Sequence, residues 1–175
     1  MTLYSFYFNV VPRAFADSTR FTKQGIAYKP KEHKEYQKEL INKFHMQVPY
    51  KEGTFPLDGP LLAAWIFYLP RIQRNSKINP NENIHHDVKP DADNLGKAVQ
   101  DVIQYEQFSE NKSKRTLKRL GLITNDSRIA LSISEKLYVK HNQQPKIRLI
   151  LCPLKQFKKE LPMTALFLNA LASES

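Results

Sequence analysis

Apolar residues fall into short blocks along the 175-residue chain, and their spacing changes from block to block. Residues 2–11 are rich in Leu, Tyr, Phe and Val with weak alternation, which predicts a first strand closed by Pro12. Tyr36, Leu40, Ile41 and Phe44 then make one stripe among charged positions, with Pro30 suited to a first helical turn, so a surface helix packed on a sheet is expected. Residues 60–69 are apolar at every interior position and predict a central strand covered on both faces, ended by Pro70. Leu95, Ala98, Val99, Val102 and Ile103 return to three-four spacing and predict a second helix. Ile129, Leu131, Ile133, Leu137 and Val139 alternate, which predicts a strand with one apolar face and with Lys136 and Lys140 on the other. A further strand is expected over residues 146–151. Pro162, followed by Met163, Leu166, Phe167, Ala170 and Leu171, predicts a short amphipathic helix docked on the domain. The order strand-helix-strand-helix-strand-strand predicts an α+β fold, with a mixed sheet over residues 1–154 and a C-terminal helical extension over 155–175.

Charge changes the picture. The chain carries 27 Lys and Arg against 17 Asp and Glu, a net charge of +10, which predicts a polyanionic partner; a basic surface alone suits a membrane or RNA as well as DNA. Arg13, Arg20, Lys23 and Lys29 interleave with Phe15, Phe21 and Tyr28, a mixture that suits phosphates and unstacked bases and also occurs in loops that are simply solvated. Lys112, Lys114, Arg115, Lys118 and Arg119 form a second basic run, and most such runs are solvated faces. The single cysteine, Cys152, excludes an intrachain disulfide and lies in an apolar run as a core residue. No apolar segment reaches spanning length and the start has no basic region ahead of an apolar stretch, so a cytoplasmic protein without membrane contact is expected.

Against this basic background, residues 85–101 collect Asp87, Asp91, Asp93 and Asp101. Pro90 favours an extended approach, and the chain is expected to turn helical at Asp93 or Asn94 with Asp93 as N-cap. Asp93, Lys97 and Asp101 follow at four-residue steps. Taken alone these would be a cap and a solvated ion pair, worth roughly a few tenths of a kcal/mol. Asp91, two residues before Asp93, alters that reading: two carboxylates so close repel, and a hard divalent cation bound by oxygen relieves them. His85 and His86 adjoin the acids, but no second His stands at helical spacing, and carboxylates favour Mg2+ or Mn2+ over Zn2+.

The run HDVKPDADNLGKAVQDVI, followed after a gap by GLITNDSRIALSISEKLYVK, resembles the RusA family of Holliday junction resolvases. That family's pattern is a Lys/Arg-x-Asp-x-Asp-Asn-Leu-x-Lys helix start and a later Asp-Asp before a strand. The resemblance covers most of the chain; residues 105–120 and 155–175 fall outside it. It implies an endonuclease that resolves four-way DNA junctions by paired nicks during recombination and repair. Asp91, Asp93 and Asp126 would be the ligands of Mg2+, or of Mn2+. Lys97 would steady the phosphate in the transition state, and Asp101 would orient Lys97 or merely pair with it. Asn125 stands where the family often has an acid. Arg13, Arg20, Lys23, Lys89, Lys114, Arg115 and Lys118 are the expected DNA contacts, and a homodimer is expected because a junction presents two-fold related strands. The rival readings are a non-catalytic binder of branched DNA and a Mg2+-dependent nuclease of forks, flaps or RNA. The retained carboxylates oppose the binder, since a ligand for polyanions gains nothing from acids in its site.

Overall fold

A computed structural model of the chain describes residues 3–14, 20–28, 30–46, 53–71, 84–105, 120–140 and 142–154. In chain order the elements are β1 (Tyr4–Phe8), β2 (Arg20–Phe21), β3 (Ala27–Tyr28), α1 (Lys31–Asn42), β4 (Phe44–Met46), β5 (Leu61–Leu69), β6 (Ile84–His85), α2 (Ala92–Ile103), β7 (Ile129–Tyr138) and β8 (Lys146–Pro153). Six strands form one mixed sheet in the order β4-β1-β8-β5-β7-β6, while β2 and β3 make a separate ribbon. Within the sheet β5 and β7 are parallel and every other pair is antiparallel. The fold is α+β, as the sequence pattern predicts.

The unbroken apolar run of β5 is explained by its place. Successive strand residues point to opposite faces, and β5 lies between β8 and β7 with both faces covered. Leu61, Ala63, Trp65, Phe67 and Leu69 enter the main core with Tyr36 and Leu40 of α1 and Leu95, Ala98, Val99, Val102 and Ile103 of α2. Leu62 and Ala64 enter a second cluster with Ile150 and Cys152. Burial pushes the Cys152 thiol pKa up, as befits a core side chain.

Parallel neighbours need a crossover, and α2 lies in the connection between β5 and β7. The helix therefore runs back along β7. Its N-terminus stands by the end of that strand, where the Lys136 ammonium bonds the Pro90 carbonyl. Its C-terminus stands by the beginning, where Gln104 bridges Ile123. This layout decides which acids can meet.

Several local expectations are corrected. The first strand ends at Phe8, before Pro12, and Phe44 belongs to β4 rather than to the preceding helix. Ile129 does not share a face with Leu131 and Ile133. The register slips between Leu61 and Leu62, which pair with Ile129 and Leu131, so Ile129 packs on the main core while Leu131 and Ile133 pack on the second cluster. Among the described residues no helix is long and apolar enough to cross a membrane. The C-terminal helix expected over 155–175 lies outside the described residues.

Candidate metal centre

The start of α2 is built by Pro90 and the residues after it. Asp91, with φ −71° and ψ 147°, is still extended and is the N-cap residue; its carbonyl accepts the Leu95 N–H at 3.2 Å. The expected N-cap, Asp93, instead lies in the first helical turn. Neither acid's side chain makes a cap bond, and both are exposed, without a hydrogen-bond or ion-pair partner among the described residues. Two carboxylates are thus presented to solvent where the helix dipole is positive. Lys97, also exposed, places its ammonium 3.5 Å from the Asn94 side-chain oxygen.

Asp101 does not join this group. Its Oδ2 accepts a hydrogen bond from Gln37 Nε2 at 3.1 Å and lies 3.9 Å from the buried His33 ring, so it ties α2 to α1 instead of orienting Lys97. The reason is helical drift: each four-residue step turns about 40° beyond a full circle, and two steps carry Asp101 about 80° from Asp93.

The approach to α2 is held by β7. His85 lies 3.0 Å from Glu135, and the His86 N–H donates to the Lys136 carbonyl at 2.9 Å. The buried His86 ring lies against Tyr138, with centroids 4.5 Å apart. Burial first, then the Lys136 charge, lowers the His86 pKa below its ordinary value. Lys136 Nζ donates to the carbonyls of Val88, at 2.8 Å, and Pro90, at 2.9 Å. The alternation of β7 puts Lys136 opposite the apolar set, which reads as a solvent face. In the sheet it pairs with Phe67, on the face that α2 covers. A lysine at such a position must find acceptors, and that requirement was the available signal.

Asp126 is elsewhere. It opens the 3-10 turn Asp126–Arg128 that leads into β7, and the Asn125 side chain accepts the Ser127 N–H at 2.9 Å. Asn125 therefore serves as a neutral turn cap. Arg128 and Thr124 both reach Asp58, at 3.0 and 3.1 Å. This corner adjoins the far end of α2, where the Leu122 N–H donates to the Ile103 carbonyl at 2.7 Å. A helix of 12 residues rises about 18 Å, which separates Asp126 from Asp91 and Asp93. Among the described residues no three His, Cys, Asp or Glu are grouped to hold a metal ion. Asp126 is exposed, and its side chain has no partner among those residues.

Of the expected DNA contacts, Lys23 and Lys89 are exposed. Arg13 is engaged by α1: its guanidinium lies 3.8 Å from Glu39 and 5.4 Å from the Tyr36 ring centroid. Arg20 belongs to the β2–β3 ribbon, where Phe21 and Ile26 are exposed. Lys114, Arg115 and Lys118 lie outside the described residues.

Hard carboxylate oxygens without partners among the described residues fit Mg2+ or Mn2+ by donor chemistry. A basic α+β domain that presents such acids at a helix start suits the class of proteins that act on nucleic-acid phosphates through a bound cation. The family model of endodeoxyribonuclease RusA matches residues 10–149. That is most of the chain, which belongs to the RusA endodeoxyribonuclease family and is thereby placed among the DNA endonucleases. The matched stretch includes Asp91, Asp93, Lys97, Asp126 and Lys136. No curated protein matches the chain.

Proposed function

We propose that this protein is a Mg2+-dependent endonuclease that resolves four-way DNA junctions by paired nicks and works as a homodimer. The observation that carries this reading is the pair of exposed carboxylates, Asp91 and Asp93, without partners among the described residues, at the start of α2 in a chain of the RusA family. Asp91, Asp93 and Asp126 would hold Mg2+, or Mn2+. The ion, when bound, supplies an activated water and offsets charge on the scissile phosphate. Lys97, one turn into α2, presents an ammonium to a phosphate at that end of the helix, where it steadies the charge that builds in the transition state. Lys23 and Lys89, with Arg13 and Arg20, hold the backbone of the arms.

The span of α2 favours a dimer for a reason beyond the symmetry of the substrate. Asp126 does not reach the Asp91 and Asp93 carboxylates of its own chain, so the third acid would come from a second copy. A two-fold arrangement then makes two equivalent sites, one for each strand to be cut.

The test is cleavage of a labelled four-way junction, a fork and a linear duplex, each with and without Mg2+, together with the mass of the protein in solution. Paired nicks in the junction that require Mg2+, from a dimer, are expected. Binding without cleavage in Mg2+ or Mn2+ would make the protein a junction binder, and faster cutting of the fork would change the substrate.

A further inference from the structure

We infer that Lys136 is a positioning residue of the nuclease site: it clamps the backbone that enters α2 and so sets the direction in which Asp91 and Asp93 are presented. The inference rests on the reading of those acids as the metal site. The Lys136 ammonium donates to two carbonyls two residues apart, Val88 at 2.8 Å and Pro90 at 2.9 Å. The second bond matters most. The Pro90 carbonyl and the Asp91 N–H share one planar peptide unit, so holding that oxygen holds the plane from which the Asp91 backbone departs. Asp91 is the N-cap, and Asp93 follows in the first turn.

Few backbone–backbone bonds hold this stretch among the described residues. Pro90 has no N–H to give. Between the His86 N–H bond to β7 and the Leu95 N–H bond to Asp91, no backbone hydrogen bond ties residues 87–90 among the described residues. Bonds from an ammonium are charge-assisted and stronger than neutral ones, and they anchor the segment to β7, where Lys136 pairs with the buried Phe67 of the central strand β5. The choice of acceptor also matters. Lys136 bonds carbonyls and, among the described residues, forms no ion pair with Asp91 or Asp93, which leaves both acids available to a cation.

The experiment compares wild type, Lys136→Met, Lys136→Arg and, as a charge control, Lys140→Met, all as full-length protein. Lys136→Met keeps the apolar stem and removes the donors, and Lys140 is exposed just beyond β7. Three quantities are read: junction affinity in EDTA, single-turnover cleavage at saturating protein across a Mg2+ series, and Mn2+ affinity of the DNA-free protein by calorimetry. Lys136→Met should bind junction as Lys140→Met does. Its cleavage at limiting Mg2+ should fall about tenfold or more and its Mn2+ affinity should weaken similarly, the scale seen when a partner that orients metal ligands is lost. Excess Mg2+ should recover part of the rate, and Lys136→Arg should keep more of it than Lys136→Met.

Wild-type rate and Mn2+ affinity in folded Lys136→Met overturn the inference. So does a rate loss matched by an equal loss of junction affinity, which would make Lys136 a DNA contact. If Lys136→Met does not fold, Lys136→Arg decides, because a changed fork geometry should still raise its Mg2+ requirement. Wild-type protein that cuts no DNA in either metal defeats the functional reading instead, and the clamp then stands or falls on Mn2+ affinity alone.

Discussion

Asp93 lies in the first turn of α2 without a side-chain partner among the described residues, and a carboxylate so exposed contributes little to the fold. Asp93→Asn should therefore leave the melting temperature nearly unchanged while cleavage in Mg2+ falls below about a hundredth of wild type, the upper end of the cost of losing an outer partner of a metal. Junction binding in EDTA should hold or tighten, because a negative charge beside phosphate is gone. A wild-type rate in Mg2+ would remove Asp93 from the metal site. Lys97→Ala separates chemistry from affinity. Among the described residues the Lys97 ammonium hydrogen-bonds the Asn94 oxygen, at 3.5 Å, and forms no ion pair, so its removal disturbs no described ion pair. Single-turnover cleavage should drop about a hundredfold, the scale for losing one donor to developing charge, with affinity nearly constant. A rate close to wild type at saturating protein would reduce Lys97 to a surface residue. Asp101 was the one acid of this stretch that four-residue spacing misplaced, because the drift of an α-helix turns it toward α1.

The short strand β6 and the end of β7 form a corner in which His86 is buried against Tyr138. Burial, reinforced by the Lys136 charge, holds the imidazole pKa below its ordinary value of 6.5. The unfolded chain therefore binds more protons than the native one between the lowered pKa and 6.5, and stability from this group falls as pH drops through that window. The melting temperature of wild type should decline between about pH 7.5 and pH 5.5 more than that of His86→Phe, which keeps a ring on Tyr138 and cannot titrate. Parallel curves for the two proteins would show that His86 is not the group responsible. The long elements were legible because β5, β7, α1 and α2 each repeat their period several times. The strands β2, β3, β4 and β6 have two or three residues each, too few for any period to show. The register slip opposite Leu61 and Leu62 left no mark in the alternation of β7.

For the whole molecule, a net charge of +10 on 175 residues should make junction binding largely electrostatic. The logarithm of affinity should fall linearly with the logarithm of salt, at a slope of about −0.9 for each neutralised phosphate in the duplex arms. Affinity that stays flat from low to moderate salt would show that the charge serves another partner. The proposed dimer makes a separate prediction. Asp93→Asn and Asp126→Asn proteins, each inactive alone, should regain nicking when mixed and allowed to exchange subunits. One heterodimer site then combines Asp91 and Asp93 of one copy with Asp126 of the other, all intact. Activity that stays absent after verified exchange would place all three acids of a site on one chain.

By itself the sequence determined the α+β class, the central covered strand, the basic character and the acids at the start of α2, because periodicity, charge and local motif spacing are properties of neighbouring residues. The tertiary structure alone decided that Asp126 stands a helix length from Asp91 and Asp93, since the crossover between parallel strands makes α2 run back along β7. It alone assigned Asp101 to α1 and Lys136 to the carbonyls of Val88 and Pro90. Those partners lie 64, 48 and 46 residues away along the chain, and strand pairing and helix packing, which no local pattern records, bring them together.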